Sequence, residues 1–257
     1  MYDPCVYMKR VTNSVFGWVI LVLYVDDMLI AAKDQSEVTK LKAQLCSEFS
    51  MKNLGPAKKI LGMEIHRDLK AGKLWLTQSK YTEKVLARFN MASAKVVTTP
   101  LAPHFRLSAA ASPTDAVEKG LMSKIPYESA VGSIMYLMVC TRPDIAYVVG
   151  KVSRYMSNPG KIHWEAVKWI LRYLKGTVNV GLLFDSNTHQ AKLLMGFVDA
   201  DYGQDLDGRR STTGYAFTLA GGCISWRSTL HKCVAQSTTE AEYVAAAEAA
   251  KEAIWLN

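Results

Sequence analysis

The sequence of 257 residues lacks the features that mark several classes of protein. Its longest apolar run, residues 18–25, ends at Asp26 and Asp27 and is far shorter than the roughly 20 apolar residues of a membrane span. No basic segment followed by an apolar stretch opens the chain, so we expect neither a membrane partner nor a cleaved signal. The five cysteines are scattered and odd in number, which predicts reduced thiols in an intracellular protein of the cytoplasm or nucleus.

Short motifs that would define other chemistries are also missing. The sequence has no Cys-x-x-Cys or His-x-x-x-His pair, so a structural zinc site has little support. It has no Gly-x-Ser-x-Gly, no P-loop and no Gly-x-Gly-x-x-Gly. The nucleophile elbow of the serine hydrolases and the glycine-rich phosphate loops therefore have no support either.

The charge is positive and unevenly distributed. The 31 Lys and Arg residues exceed the 23 Asp and Glu residues, which gives a net charge of +8. Residues 1–191 hold 25 of the basic and 15 of the acidic residues, whereas residues 192–257 hold 6 and 8. A basic excess favours a polyanionic partner, and nucleic acid is the usual one. The uneven distribution predicts two parts with different functions.

The first 90 residues alternate between apolar runs and amphipathic segments. Two hairpins and two helices are predicted, and the first hairpin turns at Asp26 and Asp27. Ser79 is the predicted N-cap of the second helix. The predicted segments are strands at 16–25 and 28–32, a helix at 36–49, strands at 60–66 and 73–76, and a helix after residue 79.

The rest of the chain separates into a linker, a helical part and a strand-rich part. Residues 92–124 are rich in Pro, Ser, Thr and Ala and are predicted to be a linker. Three helices follow, on patterns that start at Tyr127, Ile145 and Trp164, and the last of them stops at Gly176. Strands are then predicted at 193–198, 214–219 and 223–226, with a turn at 221–222 and a final helix that starts near residue 237.

The pair Asp26 and Asp27 is the first candidate site. Adjacent carboxylates at the end of a buried strand repel each other and lose hydration, and divalent cations relieve both effects. Two such ions about 3.5–4 Å apart can stabilise the attacking and leaving oxygens of a phosphoryl transfer. A solvated turn is the alternative, because turns favour Asp for local reasons.

A resemblance to a known family becomes clear at these residues. Residues 24–31 (YVDDMLIA) resemble the palm motif of the reverse transcriptases of copia-type (Ty1/copia) retrotransposon Pol polyproteins. Further segments resemble the same family in the same order along nearly the whole chain, and together they are specific. They are residues 54–55 (LG), 61–65 (LGMEI), 76–81 (LTQSKY), 99–101 (TPL), 127–137 (YESAVGSIMYL), 141–146 (TRPDIA), 171–177 (LRYLKGT), 199–201 (DAD), 209–215 (RRSTTGY) and 237–243 (STTEAEY).

The resemblance implies an α+β architecture in three parts. Residues 1–95 would be the C-terminal part of a right-hand polymerase palm with the start of the thumb. Residues 96–191 would be a linker and a helical connection, and residues 192–257 the first half of a ribonuclease H-like α/β domain. The family reaction is RNA-directed DNA synthesis with removal of RNA from the hybrid. It implies an RNA template, RNA–DNA hybrid and deoxynucleoside triphosphates as partners, and hard carboxylate oxygens suit Mg²⁺ as the metal.

The resemblance also implies which residues carry the chemistry. Asp26 and Asp27 would be catalytic metal ligands of the polymerase, and Asp199 and Glu242 those of the ribonuclease H. An exposed strand end is the alternative for Asp199 and for Asp201, which shares its face if the strand continues. Each of the two family sites takes a further Asp that has no counterpart in this sequence, so we expect the chain by itself to be inactive.

A basic helix and the Ser237 segment complete the candidates. Four basic residues of the predicted helix after residue 160, which are named at the end of this paragraph, could contact phosphates along a hybrid duplex. The alternative is that they form a solvated helix face. A capping box of Ser237 and Glu240 would leave Glu242 as the ligand. A non-catalytic nucleic-acid-binding relic and a decayed reading frame without function remain alternatives to the enzyme. The four basic residues are Lys161, Lys168, Arg172 and Lys175.

Overall fold

The computed structural model describes residues 3–11, 17–188 and 191–256. It divides the chain into two compact units, Met1–Leu61 and Gly62–Asn257. Helices and antiparallel sheets occur together, which confirms the mixed α and β class predicted from the sequence. Among the described residues no helix is long and apolar enough to cross a membrane. The domain boundaries predicted after residues 95 and 191 stay predictions.

The first unit is a three-stranded antiparallel sheet followed by a helix. The sheet has the order β1 (Val6–Arg10), β2 (Trp18–Tyr24) and β3 (Asp27–Ala32), and α1 (Gln35–Glu48) follows it. The predicted hairpin and helix are thus confirmed, although Phe16, the predicted start of the first strand, lies outside the described residues. The side chain of Asp34 caps α1 by accepting a hydrogen bond of 2.8 Å from the Ser36 N–H. A short strand β4, Lys59–Ile60, ends this unit.

The second unit begins with strands whose predicted limits need correction. β5 (Met63–Asp68) pairs with β6 (Lys73–Thr77), and β6 also pairs with β7 (Leu182–Asp185). The predicted strand 60–66 is interrupted, because Leu61 and Gly62 adopt φ values of 48° and 73° that no strand accommodates. The prediction of Ser79 as N-cap is also wrong, since α2 (Ser79–Arg88) includes it and Gln78 occupies the cap position without a side-chain cap.

A helical core fills the middle of the second unit. It consists of α4 (Tyr127–Cys140), α5 (Ala146–Ser153) and α6 (Lys161–Gly176), which confirms the three predicted helices. A 3₁₀ turn, Pro143–Ile145, leads into α5, and Pro143 suits the first turn of a helix because its missing N–H needs no partner there. The fully buried side chains follow the predicted helical spacing; they include Val131, Ile134, Leu137, Val152, Val167, Ile170, Leu171 and Leu174.

The segment predicted to be a linker packs on this core. It holds a 3₁₀ turn at Ala109–Ala111 and the helix α3 at Ala116–Met122. The indole N–H of Trp169 on α6 donates a hydrogen bond of 2.9 Å to the Thr99 carbonyl. Ala102 and Leu107 are buried in the same segment. Residues 92–124 therefore belong to the folded unit and do not form an extended spacer.

The strand-rich part is a second antiparallel sheet covered by a long helix. The sheet has the order β10 (Gly222–Leu230), β9 (Thr212–Leu219) and β8 (Met195–Asp201), and α7 (Thr238–Leu256) follows. The turn between β9 and β10 lies one residue earlier than predicted, because Ala220 and Gly221 have φ values of 52° and 75° and Gly222 is already in the strand. Tyr215, Phe217 and Ala249 form a small core between sheet and helix.

Candidate catalytic carboxylates and basic helix

The Asp26–Asp27 pair lies at the tip of the β2–β3 hairpin. Tyr24 and Asp27 are paired across the strands, so Val25 and Asp26 form a two-residue turn. Val25 has a φ of 51°, a conformation that is rare for a β-branched residue and that costs about 1–3 kcal/mol. Such strain occurs preferentially where a backbone position serves a function.

Both carboxylates of this pair are open to a ligand. Asp26 and Asp27 are exposed, and within the described chain neither carboxylate accepts a hydrogen bond. Their lone pairs are therefore available, and carboxylate oxygens are the donors that Mg²⁺ prefers. The described residues contain no group of three or more His, Cys, Asp or Glu side chains that could hold a metal ion by themselves.

Asp199 and Asp201 lie on one face of β8 and have different surroundings. Asp199 is exposed, and its carboxylate accepts no hydrogen bond from the described residues. The carboxylate of Asp201 accepts a hydrogen bond from the Thr212 N–H at 2.6 Å and another from the Tyr147 hydroxyl at 3.2 Å. Asp201 is thus occupied in joining α5 to the sheet, and Asp199 is the free carboxylate.

A cleft of about 420 Å³ runs along this face, between α5 and the sheet, and contains both aspartates and Tyr147. Burial and the negative charge of Asp201 raise the pKa of Tyr147 to about 12, so its phenol remains a hydrogen-bond donor at neutral pH. The Lys151 ammonium lies 4.5 Å from the centre of the Tyr147 ring, and burial lowers the pKa of this lysine. Arg227 lines the cleft as well, so the cleft combines carboxylates with a hydrogen-bond donor and a cation.

Asp199 and Glu242 are not brought together by the register of the sheet. Val198 is paired with Tyr215, whose ring contacts the α7 side, so the neighbouring Asp199 projects from the opposite face. Glu242 is exposed on α7. The shared use of one metal by these two residues stays a prediction.

The predicted capping box at the start of α7 is confirmed in one of its two bonds. Ser237 Oγ accepts a hydrogen bond of 3.1 Å from the Glu240 N–H, as expected. The Glu240 carboxylate accepts its bond from the Gln236 N–H at 2.7 Å instead of from the Ser237 N–H. The structural role predicted for Glu240 is therefore observed, with a partner one residue earlier.

The four basic residues of α6 differ in how much of their charge is free. Lys161 is exposed and Lys168 is half-buried, and neither has a described ion pair. The Arg172 Nε donates to the Lys95 carbonyl at 2.6 Å, and the Lys175 ammonium donates to the Ala94 carbonyl at 2.7 Å. Arg172 and Lys175 thus fasten the 92–124 segment to α6 while keeping their positive charge.

Comparisons with known proteins identify the family. Residues 5–103 match the family model of the reverse transcriptase (RNA-dependent DNA polymerase). The chain is 34% identical over 237 residues to the putative transposon Ty5-1 protein YCL074W of Saccharomyces cerevisiae, and the match covers 92% of this chain and 74% of that protein. It is 59% identical over 254 residues to the retrovirus-related Pol polyprotein from transposon TNT 1-94 of Nicotiana tabacum. The chain belongs to the copia-type retrotransposon Pol family.

Pol polyproteins are much longer than this chain. The tobacco match covers 99% of this chain and 19% of the polyprotein. The retrovirus-related Pol polyprotein from transposon RE1 of Arabidopsis thaliana is 39% identical over 240 residues, which are 93% of this chain and 16% of that polyprotein. The chain thus spans less than a fifth of the length of these two Pol relatives. No solved structure matches it significantly.

Two of the Pol-like segments meet at a buried arginine. Arg142 is 1% exposed and forms a two-bond ion pair with Asp144, with distances of 2.9 Å and 2.8 Å. It also donates to the Thr177 carbonyl at 3.0 Å and to the Thr177 hydroxyl at 2.7 Å, and the Tyr173 hydroxyl donates to Asp144 at 2.8 Å. Hydrogen bonds and an ion pair therefore join the segments 141–146 and 171–177 within the helical core. We call this set of contacts the clasp.

Two histidines that received no role from the sequence have partners in this Pol segment. His163 is fully buried, and its Nδ1 accepts a hydrogen bond of 2.8 Å from the Gly160 N–H at the start of α6. Its Nε2 lies 3.2 Å from the Ser108 carbonyl, and its ring stacks on Tyr155. His231 Nε2 lies 2.8 Å from the Thr213 hydroxyl. Both histidines therefore take part in hydrogen bonds that join segments distant in the sequence.

Proposed function

We propose that this Pol segment supplies the Asp26–Asp27 pair to a polymerase centre that copies RNA into DNA. The observation that carries the proposal is the hairpin tip itself, which presents two free, exposed carboxylates beside the strained Val25. The pair lies within the residues matched by the reverse transcriptase model. Residues 1–95 would accordingly be palm and the start of the thumb.

Mg²⁺ fits the donor set of this hairpin. Asp26 and Asp27 offer only carboxylate oxygens, which are hard ligands, and no thiol or imidazole is part of the pair. Bound Mg²⁺ would stabilise the negative charge that develops on the phosphate oxygens during nucleotide addition. The residues of the chain hold and orient the ions, and the partners of the site would be an RNA template and deoxynucleoside triphosphates.

We further propose that residues 192–257 contribute to a ribonuclease H-like centre, in which Asp199, on the face of β8 away from α7, and Glu242, on α7, each act as a metal ligand. Three antiparallel strands followed by a long helix support this proposal, as does the difference between the free Asp199 and the engaged Asp201. Residues 96–191 would be the helical connection, and the part of it that was predicted to be a linker packs on the helical core. The substrate would be the RNA strand of an RNA–DNA hybrid inside the cell.

A chimeric polyprotein tests both centres. The chain would replace the matching 254-residue segment of the tobacco Pol polyprotein, and primer extension and hybrid cleavage would be measured with Mg²⁺. Asp26→Asn should abolish extension and leave cleavage, whereas Asp199→Asn should abolish cleavage and leave extension. Glu165→Gln, an exposed carboxylate of α6, is the charge control and should change neither. Extension that survives Asp26→Asn would reject the polymerase proposal.

The same chimera separates Glu240 from Glu242. Two residues on a helix are about 200° apart, so the two side chains cannot both reach one metal site. Glu242→Gln should abolish cleavage with almost no change in stability. Glu240→Ala should keep cleavage and lower the unfolding free energy by about 0.5–2 kcal/mol, because it removes a cap. The opposite pattern would make Glu240 the ligand.

A nucleic-acid-binding segment without catalysis is the second candidate. The excess of 25 basic over 15 acidic residues within residues 1–191 favours it, because phosphate binding needs only positive charge. A chimera that binds RNA–DNA hybrid but neither extends nor cleaves would establish this function in place of the enzymatic one.

A further inference from the structure

A second cavity lies beside the cleft of Asp199 and is unused by the proposed chemistry. It has a volume of about 620 Å³, within the range of small-molecule sites, and is bounded by α5, β10 and the loop between β8 and β9. Arg154 and Arg210 both line it, together with Asp205, Asp207 and Ser228. Ser228 also lines the cleft that contains Asp199, so the two cavities adjoin. We call this space the Arg210 cavity.

The two carboxylates of the Arg210 cavity are fully engaged by the protein. Asp205 accepts a bond of 3.0 Å from the Arg154 Nη1 on one oxygen and a bond of 2.8 Å from the Gly208 N–H on the other. Asp207 accepts a bond of 2.8 Å from the Ala109 N–H and a bond of 3.0 Å from the Tyr155 hydroxyl, again one on each oxygen. All four carboxylate oxygens therefore accept hydrogen bonds from groups of the protein.

The donors of the cavity are mostly unused. The Arg210 guanidinium makes one hydrogen bond within the described structure, a long one of 3.5 Å to the His231 carbonyl, and it has no described ion pair. Arg154 donates one of its five N–H groups to Asp205. No hydrogen bond of the Ser228 hydroxyl is observed among the described residues. A cavity with satisfied acceptors and free guanidinium donors is suited to an anion, and Arg is the side chain that binds phosphate by two parallel bonds.

Gly208 lies close to the guanidinium of Arg210 at the edge of the cavity. A Cβ at position 208 would lie 3.0 Å from the Asp205 Oδ2 and 3.2 Å from the Arg210 Nε. Those distances are tighter than ordinary contacts, so a Cβ there would shift the guanidinium or the Asp205 carboxylate by a few tenths of an ångström. The lack of a side chain at position 208 thus leaves room for the Arg210 guanidinium, which forms no ion pair within the described part of the chain.

We propose that the Arg210 cavity binds a phosphodiester of a nucleic-acid strand and so positions that strand next to Asp199. This proposal rests on the proposed function for its biological meaning, because the strand would be the substrate of the adjoining cleft. Arg210 is the principal ligand of the phosphate, with Arg154 and Ser228 as further donors. Since the four charged residues balance to zero, we expect the site to add to hybrid binding and not to dominate it.

Binding measurements on the full chain test the proposal with a matched pair of variants. Arg210→Gln and Arg209→Gln remove the same charge from neighbouring positions, but Arg209 is exposed and does not line the cavity. The dissociation constant for a fluorescent RNA–DNA hybrid would be followed by anisotropy from 50 to 200 mM salt. Arg210→Gln should weaken binding roughly five- to tenfold and reduce the salt slope by about one. Arg209→Gln should change affinity less than twofold.

Two further measurements address the cavity directly. Gly208→Ala leaves every charge in place and should weaken hybrid binding, but less than Arg210→Gln does, because the added methyl group shifts the guanidinium only slightly. In ¹H–¹⁵N spectra, addition of inorganic phosphate should shift the Arg210 Nε–Hε signal, identified by its loss in Arg210→Gln, and leave that of Arg209 unchanged. Thermal unfolding of each variant verifies that it is folded.

The outcomes separate this proposal from the proposed function. Equal losses of hybrid affinity in Arg210→Gln and Arg209→Gln would overturn the proposal that the Arg210 cavity binds phosphate. An Arg210 signal that phosphate does not shift would overturn it as well. Either result would leave the catalytic proposal intact. A chimera that binds hybrid through Arg210 but neither extends nor cleaves would reject the catalytic proposal. The same result would support phosphate binding in the Arg210 cavity.

Discussion

Removal of Arg142 tests whether the clasp between segments 141–146 and 171–177 holds the helical core. The Arg142 side chain is 1% exposed and that of Asp144 is 30% exposed. Truncation of one partner of a buried ion pair costs about 3–5 kcal/mol, because the other charge is left without compensation. Water can partly reach Asp144, so we expect Arg142→Ala to cost about 3 kcal/mol, near the lower end.

The measurement is unfolding by urea and, separately, by heat, each followed by tryptophan fluorescence. For a unit of this size, a loss of about 3 kcal/mol corresponds to a fall of roughly 6–12 °C in the melting temperature. Arg142→Lys keeps the charge but loses the two parallel bonds, so it should fall between wild type and Arg142→Ala. The control is Lys73→Ala, which removes an exposed pair with Asp185 at 3.5 Å and should cost at most about 1 kcal/mol.

The pH dependence of the same unfolding provides a second readout. Burial acts to raise the pKa of Asp144, but the hydrogen bonds and the charge of Arg142 outweigh it and the pKa is lowered. The stabilisation is therefore present above the unfolded value near 3.9 and is lost as the pH falls through the folded value. This loss should be smaller in Arg142→Ala, in which the Tyr173 hydroxyl can still donate to Asp144. A cost below about 1 kcal/mol for Arg142→Ala would refute the clasp.

Three further predictions concern nucleic acid, catalysis and pH. Replacement of Lys168, Arg172 and Lys175 by Gln should flatten the salt dependence of hybrid binding by about 0.9 in log–log slope for each phosphate that is no longer neutralised, and an unchanged slope in anisotropy titrations would contradict it. The isolated chain should not extend a primer on RNA with Mg²⁺, and extension that Asp26→Asn abolishes would disprove this. Burial lowers the pKa of His163, so the unfolded chain takes up its proton first. Stability in urea should then decrease as the pH falls below about 6.5, and less so in His163→Gln.

The helical core was the part of the fold most accessible to sequence reasoning. Its apolar residues recur with a period near 3.6, and Pro143 and Gly176 mark its interruptions. Strands β1 and β7 were not predicted, for two different reasons. β1 is exposed along its whole length and has no apolar alternation, and β7 pairs with a strand more than 100 residues earlier. Only the folded chain supplies those partners.

The candidate sites show the same division between local and distant information. Asp26 and Asp27 were found because an apolar strand runs directly into them, which is a local signal. The role of Arg142 was not found, because its partner Thr177 is 35 residues away. Arg210 was overlooked for the same reason, since the cavity exists only where α5 meets the loop and β10.

Seven aspartates around the candidate sites and the helical core differ in the state of their oxygens. Asp144, Asp201, Asp205 and Asp207 accept hydrogen bonds from the protein on both oxygens and thereby join helices to loops and strands. A carboxylate used in this way has little capacity left for a metal. Asp26, Asp27 and Asp199 lie at or near the ends of apolar strands and accept no hydrogen bond from the residues that the structure describes, although neighbouring donors could have engaged them as they engage Asp201. Because exposed carboxylates are common, freedom alone does not identify a ligand. At these three residues, the combination of a free carboxylate with a fixed position in or beside a strand is what favours metal binding.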